Sequence, residues 1–263
     1  SVCDVERGCE VDSQRDPNVS RLFVLSSLAL FTAGLSFSLR GAIAGGIDAE
    51  ILSQVDPANS GRLTAEVLGI AFSGFAFTLF FGSVFLERIG MGRSLFLAGL
   101  SLFLGTALVV FSDRWGTVDQ AYLWLRVGYL FSGFGWGFVE AASNPLVAAL
   151  YPDDKTHRLN VLHAWWPAGV MLGGIVGALP LDLGWRNQFG IVMVPAVATM
   201  FLCLRPTFPS TERAAGGVSW SEMWMEIPRR PMFLVFFLCM FLTAGSELAP
   251  GQWIDFTLTR TVG

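Results

Sequence analysis

Seven apolar runs, each long enough to cross a bilayer, dominate this 263-residue chain. They fall at about 22–47, 64–86, 94–112, 121–150, 160–181, 188–205 and 231–256. At ~1.5 Å of rise per residue, about 20 apolar residues span the hydrocarbon core as a helix. Lipid admits only helices and closed barrels, and barrel strands alternate in segments of ~10 residues, so runs of this length mean helices. Composition agrees: 14% of residues are charged and 53% hydrophobic, against ~25% charged in soluble domains. The expected fold class is an all-α membrane protein, a helical bundle with seven transmembrane helices.

The basic residues orient it. Eleven of the 17 lysines and arginines, among them Arg21, Arg88, Arg93, Lys155, Arg158, Arg229 and Arg230, collect on one face. Arg62, Arg114, Arg186 and Arg260 lie on the other. The positive-inside rule then places the N-terminus in the cytoplasm and the end of this chain outside, in a bacterial-type inner (plasma) membrane. The net charge of −4 argues against nucleic acid. Cys3, Cys9, Cys203 and Cys239 show no CxxC spacing, so no metal or redox motif is visible.

Polar residues inside the runs point to function, because charge in lipid costs several kcal/mol unless it faces a partner or a polar cavity. Glu140 lies within the fourth run, followed by Asn144 and Pro145. Such a carboxyl can carry a proton or bind a solute, or it can pair with an arginine. Arg126 is excluded as that partner, since it lies ~21 Å away along the same helix. Arg40 in the first run has two readings: it neutralises Glu140 or Asp48, or it recognises an anionic solute group. Asp48 is either a second cavity carboxylate or part of the outer loop with Glu50 and Asp56. His163, Trp165 and Trp166 in the fifth run combine a titratable group with rings that stack on sugars or simply pack. Glu247, Gln252 and Trp253 fall in the seventh run, where Pro250-Gly251 is expected to break the helix, as at transporter sites, or to kink it. Glycines at spacings of four, as in Gly169/Gly173/Gly177, allow helices to cross closely.

The long polar segment 206–230 separates six runs from a seventh, and its Trp220–Ile227 stretch is expected to lie at the membrane interface. The seventh opens like the first, with Leu242-Thr-Ala-Gly245 echoing Phe31-Thr-Ala-Gly34. Inverted or parallel internal repeats are a transporter habit. The expected organisation is a tail (1–20), a six-helix half (21–205), a cytoplasmic interfacial linker (206–230) and the first helix of a second half (231–263). That pattern is the one expected of the first seven spans of a twelve-span protein.

Three motifs then carry a resemblance. Ser83-Val-Phe-Leu-Glu87-Arg88-Ile-Gly90-Met-Gly-Arg93 lies between the second and third runs. Gly137-Phe-Val-Glu140-Ala-Ala-Ser-Asn144-Pro145 is followed by Arg158-Leu-Asn160, and Gly45-Gly-Ile-Asp48 closes the first run. With these the chain resembles the major facilitator superfamily, in its fucose/glucose–proton symporter-like branch. The resemblance implies a cytoplasmic gating loop at Glu87, Arg88, Gly90 and Arg93. It also implies a central cavity containing Glu140 and Asp48. The sequence departs from the branch at Arg40, where members tend to have an aromatic residue, and at His163 and Trp166, where they tend to have amides.

The expected function is secondary active transport, not enzymatic catalysis. A small polar solute, expected to be a sugar, moves by proton-coupled alternating access, with Glu140, Asp48, Asn144, Arg40, His163, Trp166, Glu247, Gln252 and Trp253 as coupling or solute residues. No cofactor and no metal are expected; the partners are the bilayer, the solute and protons. The rival is a transport-inactive half-transporter serving as an accessory subunit among other membrane subunits.

Overall fold

The computed structural model describes residues 17–114, 116–178, 184–204, 206–211, 216–217, 225 and 229–262, and no strand occurs among them. The N-terminal tail to residue 16, with Cys3 and Cys9, and nearly all of the Trp220–Ile227 stretch lie outside the described residues.

The first run forms α1 (Pro17–Ala42), continued by a short helix (Ala44–Ile47) and a π-helical turn (Asp48–Leu52). The next three form α2 (Ser60–Ile89), α3 (Met91–Val110) and α4 (Val118–Leu150). Thr117 caps α4, its hydroxyl accepting from the Gln120 amide while the Gln120 side chain accepts from the Thr117 amide. This reciprocal box satisfies two otherwise orphaned donors.

The fifth and sixth runs are each built of two pieces: α5 (Lys155–His163) with α6 (Trp165–Ala178), and α7 (Gly184–Gly190) with α8 (Met193–Leu202). Proline accounts for both breaks. Pro167 and Pro195 have no N–H to offer the carbonyls four residues earlier, those of His163 and Ile191, and the chain turns at Ala164 and at Ile191–Val192. The seventh run is α9 (Pro231–Val262).

Five helical segments are long and apolar enough to cross a membrane among the described residues: α1, α2, α3, α5 with α6, and α9. The 33-residue α4 is longer than any of them but carries Asp119, Arg126 and Glu140.

Helix α4 is the hub. It packs against α2 and α3 along their lengths and touches α1; α6 packs against α1, and α8 against α3. The glycines set how closely these helices approach. A Cβ on Gly133 of α4 would lie 2.0 Å from the Ala71 carbonyl oxygen of α2. A Cβ on Gly169 of α6 would lie 2.2 Å from the Phe31 oxygen of α1. A backbone oxygen cannot swing aside as a side chain can, so Gly133→Ala must separate α2 from α4. Overpacking of this kind costs about 1–3 kcal/mol. Thermal melts in detergent are expected to show that loss, and an unchanged melting temperature in Gly133→Ala would contradict this packing.

The two ends of the bundle differ. One is an apolar cluster around Ile47, Leu52, Val109, Ala121, Leu125, Tyr129 and Phe189. The other gathers Leu22, Leu25, Met91, Trp136, Leu146, Tyr151 and Leu162. At the first end Arg186, ahead of α8, donates to Glu50 (2.5 Å) and Asp113 (2.8 Å) and lies over the Trp185 ring. One guanidinium thus ties the end of the first span to the end of the third. The bond from Arg186 holds the Glu50 carboxyl below its ordinary value of 4.5.

A depressed carboxylate stabilises the fold at pH values above its unfolded pKa, and that stabilisation disappears as pH falls through the folded value. The groups are partly exposed, so the expected effect is small, about 0.5–1 kcal/mol. Melting temperature is expected to drop on acidification below about pH 4.5, and part of that drop should vanish in Arg186→Gln.

Helix α9 is nearly bare. Its apolar side chains from Met232 to Leu242 are exposed, and it meets the rest of the bundle near Gln252 and Trp253, against α1 and against Phe72 of α2. It runs unbroken through Pro250. The expected break at Pro250-Gly251 is therefore corrected: losing one N–H at Pro250 leaves the Ser246 carbonyl without its helical donor but does not end the helix.

Candidate functional site

Where α1, α2, α4, α6 and α9 face one another, six aromatic rings form a continuous wall. Trp136 stacks on Phe75 (3.9 Å between centroids) and on Trp166 (4.9 Å). Phe37 meets Trp136 (5.9 Å), Trp166 (5.5 Å) and Phe72 (6.4 Å). Trp253 of α9 stacks on Phe72 (5.7 Å, 27° between planes). Trp166 and Trp253, from two helices distant in sequence, thus meet in one cluster. Phe37, Phe72, Phe75 and Trp136 were not singled out from the sequence. One signal was available: Trp136 and Glu140 are four residues apart, which puts them on one helix face.

Glu140 lies at one edge of this wall, half-buried. Asn144, one turn on, donates to its carboxylate at 3.4 Å. His163, at the end of α5, is near enough to be electrostatically coupled to it. The Trp136 indole lies beside the same carboxyl, although its Nε1 makes no well-aligned hydrogen bond. Glu140, Asn144 and His163 are thus brought together. His163 is exposed, at the break between α5 and α6.

Arg40 is at the opposite edge. It is 2% exposed, and its Nε and Nη1 have no hydrogen-bond partner in the protein. It lies over the Phe37 ring at 5.7 Å and interacts electrostatically with the buried Tyr129 phenol of α4. Neither carboxylate considered as its partner neutralises it. Helices α1 and α4 run antiparallel, since Ser36 meets Ser132 while Arg40 meets Tyr129. From that level Asp48 is eight residues further along α1 and its extension, and Glu140 is eleven further along α4. At ~1.5 Å per residue the two carboxylates stand roughly 28 Å apart along the bundle. Asp48 accepts from Thr64 (3.3 Å) in the π-helical turn, at the same end as Glu50 and Arg186. The structure does not bring Asp48 into a cavity with Glu140.

Gln252 of α9 is 1% exposed and packs on Gly41, and neither its Nε2 nor its Oε1 has a partner. Glu247, five residues earlier, is exposed.

The Glu87–Arg93 segment lies at the far end of the bundle from Asp48. Gly90 alone separates α2 from α3, with φ +86° and ψ 143°, a conformation close to one only glycine adopts readily. Thr211 donates to Glu87 (2.9 Å), tying this turn to the segment after α8. Arg88 and Arg93 line a groove with Phe96, Leu97 and Phe208. These residues form a separate site from the aromatic wall.

Comparison with known proteins agrees with this architecture. The family model described as the Major Facilitator Superfamily matches residues 22–259. Polyol transporter 5 of Arabidopsis thaliana is 30% identical over 116 residues, which is 42% of this chain and 20% of that protein. The xylose transporter XylE from E. coli, solved in an inward-open conformation, superposes with a TM-score of 0.61 at 16% identity, over 80% of this chain and 56% of that one. The chain therefore spans about half the length of that transporter and a fifth of the polyol transporter.

Proposed function

The chain belongs to the major facilitator superfamily, and on that premise we propose that it acts in secondary active transport of a small polyhydroxylated solute, a sugar or a polyol, coupled to protons. The observation that carries this reading is the aromatic wall with a carboxylate at its edge, inside a membrane bundle. A half-buried ring such as Trp166 or Trp253 presents a flat apolar face to the C–H face of a sugar, while polar groups at the rim take up the hydroxyls. Glu140, with Asn144 and His163, is the proton-handling group. Its charge is costly in a low-dielectric setting, and a solute that binds one protonation state more tightly than the other couples proton to solute.

The names of the two compared transporters, one for polyols and one for xylose, support this solute class. Helices 21–205 form one half of the transporter, and α9 opens the other, its bare apolar face being the surface against which further helices pack. The two halves rock about the wall in alternating access. The Gly90 turn faces the cytoplasm, where Glu87, Arg88 and Arg93 act in gating. The Asp48–Arg186 end faces outward, in a bacterial-type inner membrane.

The test is uptake of labelled sugars and polyols by vesicles carrying the full-length protein, with and without an inward proton gradient. Gradient-stimulated uptake of at least one is expected. Its absence across a panel of hexoses, pentoses and polyols, in vesicles where the protein is folded, would favour the half-transporter subunit instead.

A further inference from the structure

Arg40 carries a charge that this site does not answer. Its guanidinium is buried between α1 and α4, with Nε and Nη1 unpartnered, and among the described residues no carboxylate pairs with it. The Phe37 face at 5.7 Å supplies a cation–π contact worth about fivefold to thirtyfold in an equilibrium. Burying an unpaired cation costs far more than that. The groups around it are also unanswered. The Tyr129 hydroxyl is fully buried without a hydrogen-bond partner. Gln252, which packs on Gly41 beside Arg40, has a free buried donor and a free buried acceptor. Native proteins satisfy nearly all buried polar groups, so three unsatisfied ones at one level of a transporter bundle, adjoining its aromatic wall, point to a ligand.

We propose that the solute is a polyhydroxy acid, a sugar acid or uronate, whose carboxylate is held by Arg40 with Tyr129 and Gln252 while its carbon frame lies on Trp166 and Trp253, the half-buried rings of the wall. This rests on the transport reading above and narrows its solute class. Planar guanidinium suits a carboxylate because its N–H groups match the two oxygens in a fork. The Tyr129 hydroxyl and the Gln252 amide each add a donor, and the Gln252 carbonyl accepts from a solute hydroxyl. Anchoring the carboxylate at Arg40 leaves the proton-handling group Glu140 at the other edge of the wall, so two like charges do not meet.

The experiment compares matched pairs on the purified full-length protein: D-glucuronate with D-glucose, D-galacturonate with D-galactose, and D-gluconate with sorbitol. Binding is read from quenching of tryptophan fluorescence, and gradient-driven uptake is measured in vesicles. In the wild type at least one acid is expected to bind ~10-fold or more tightly than its neutral counterpart, the scale of a charge-assisted hydrogen-bonded pair. In Arg40→Gln the acid-to-neutral ratio is expected to fall to within about twofold of unity, and in Tyr129→Phe part of the way.

Neutral solutes bound as tightly as their acids by the wild type would overturn the inference while leaving sugar or polyol transport standing. Failure of both classes to bind or enter would overturn both. Sulfate or phosphate competing as strongly as the acids would replace the solute assignment with a general anion site. If Arg40→Gln does not fold, Arg40→Lys is expected to retain charge but lose the fork, lowering the ratio without abolishing it. An undiminished ratio in a folded Arg40 variant would remove Arg40 from the site.

Discussion

Glu140→Gln is expected to abolish proton-gradient-driven uptake while leaving the protein folded. Glutamine has the shape of glutamate and keeps a hydrogen-bonding partner for Asn144, whose amide reaches the carboxylate at 3.4 Å. It also removes the charge whose placement in the bundle costs several kcal/mol. Stability is therefore expected to hold or rise. What is lost is the proton: an amide has none to take up or release, so a gradient can no longer drive the cycle. Coupling is lost when concentrative uptake falls to the level set by equilibration, a drop of about 100-fold if the gradient supplies ~3 kcal/mol.

Exchange of labelled for unlabelled solute across the same vesicles needs no net proton movement and is expected to survive. The two assays together separate a coupling residue from a structural one. Concentrative uptake unchanged in Glu140→Gln would remove Glu140 from the coupling step. His163→Gln tests the partner: if the imidazole tunes or relays that proton, the pH dependence of uptake shifts while exchange persists.

Trp136→Ala is expected to have the largest effect on the fold, and through it on binding. The ring is almost wholly buried and contacts Phe37, Phe72, Phe75 and Trp166, so its truncation leaves a cavity at the meeting point of four helices. Large-to-small changes of this kind cost about 3–5 kcal/mol. Trp136→Phe is the milder test: it retains most of the packing, so melting is expected to fall by the equivalent of ~1–2 kcal/mol. Solute contact is read on the half-buried Trp166 instead. In Trp166→Phe solute affinity should fall roughly 2–10-fold, the scale of one aromatic stacking contact. Affinity equal to that of the wild type in a folded Trp166→Phe would take that ring out of the solute wall.

The membrane helices were legible because hydrophobic length is a local property. Lipid forces every backbone group to be satisfied within a segment, so a long apolar run can be read without knowing its neighbours. The close-packing glycines were legible for a similar reason, since a small residue every fourth position marks a face. Breaks in the fifth and sixth spans were missed, although Pro167 and Pro195 were visible, because whether a proline bends, interrupts or merely passes through a helix depends on what surrounds it. Pro250 passes through, in α9, and Pro145 does so in α4.

Of the polar residues, the sequence by itself determined which were costly: Glu140, Arg40 and Gln252 stand out because charge and amide are scarce in lipid. It could not determine which meet. Glu140 and Asp48 both lie in or beside apolar runs, yet the antiparallel course of α1 and α4 carries them to opposite ends of the bundle, roughly 28 Å apart at ~1.5 Å per residue. Arg40 could as well have paired with either of them. Only the tertiary structure showed it beside Tyr129 with no carboxylate, and assembled Phe37, Phe72, Trp136, Trp166 and Trp253 into one wall. The physical reason is that the cost of burial belongs to one residue and its solvent, whereas its relief depends on helix crossing and register, which are properties of the pair.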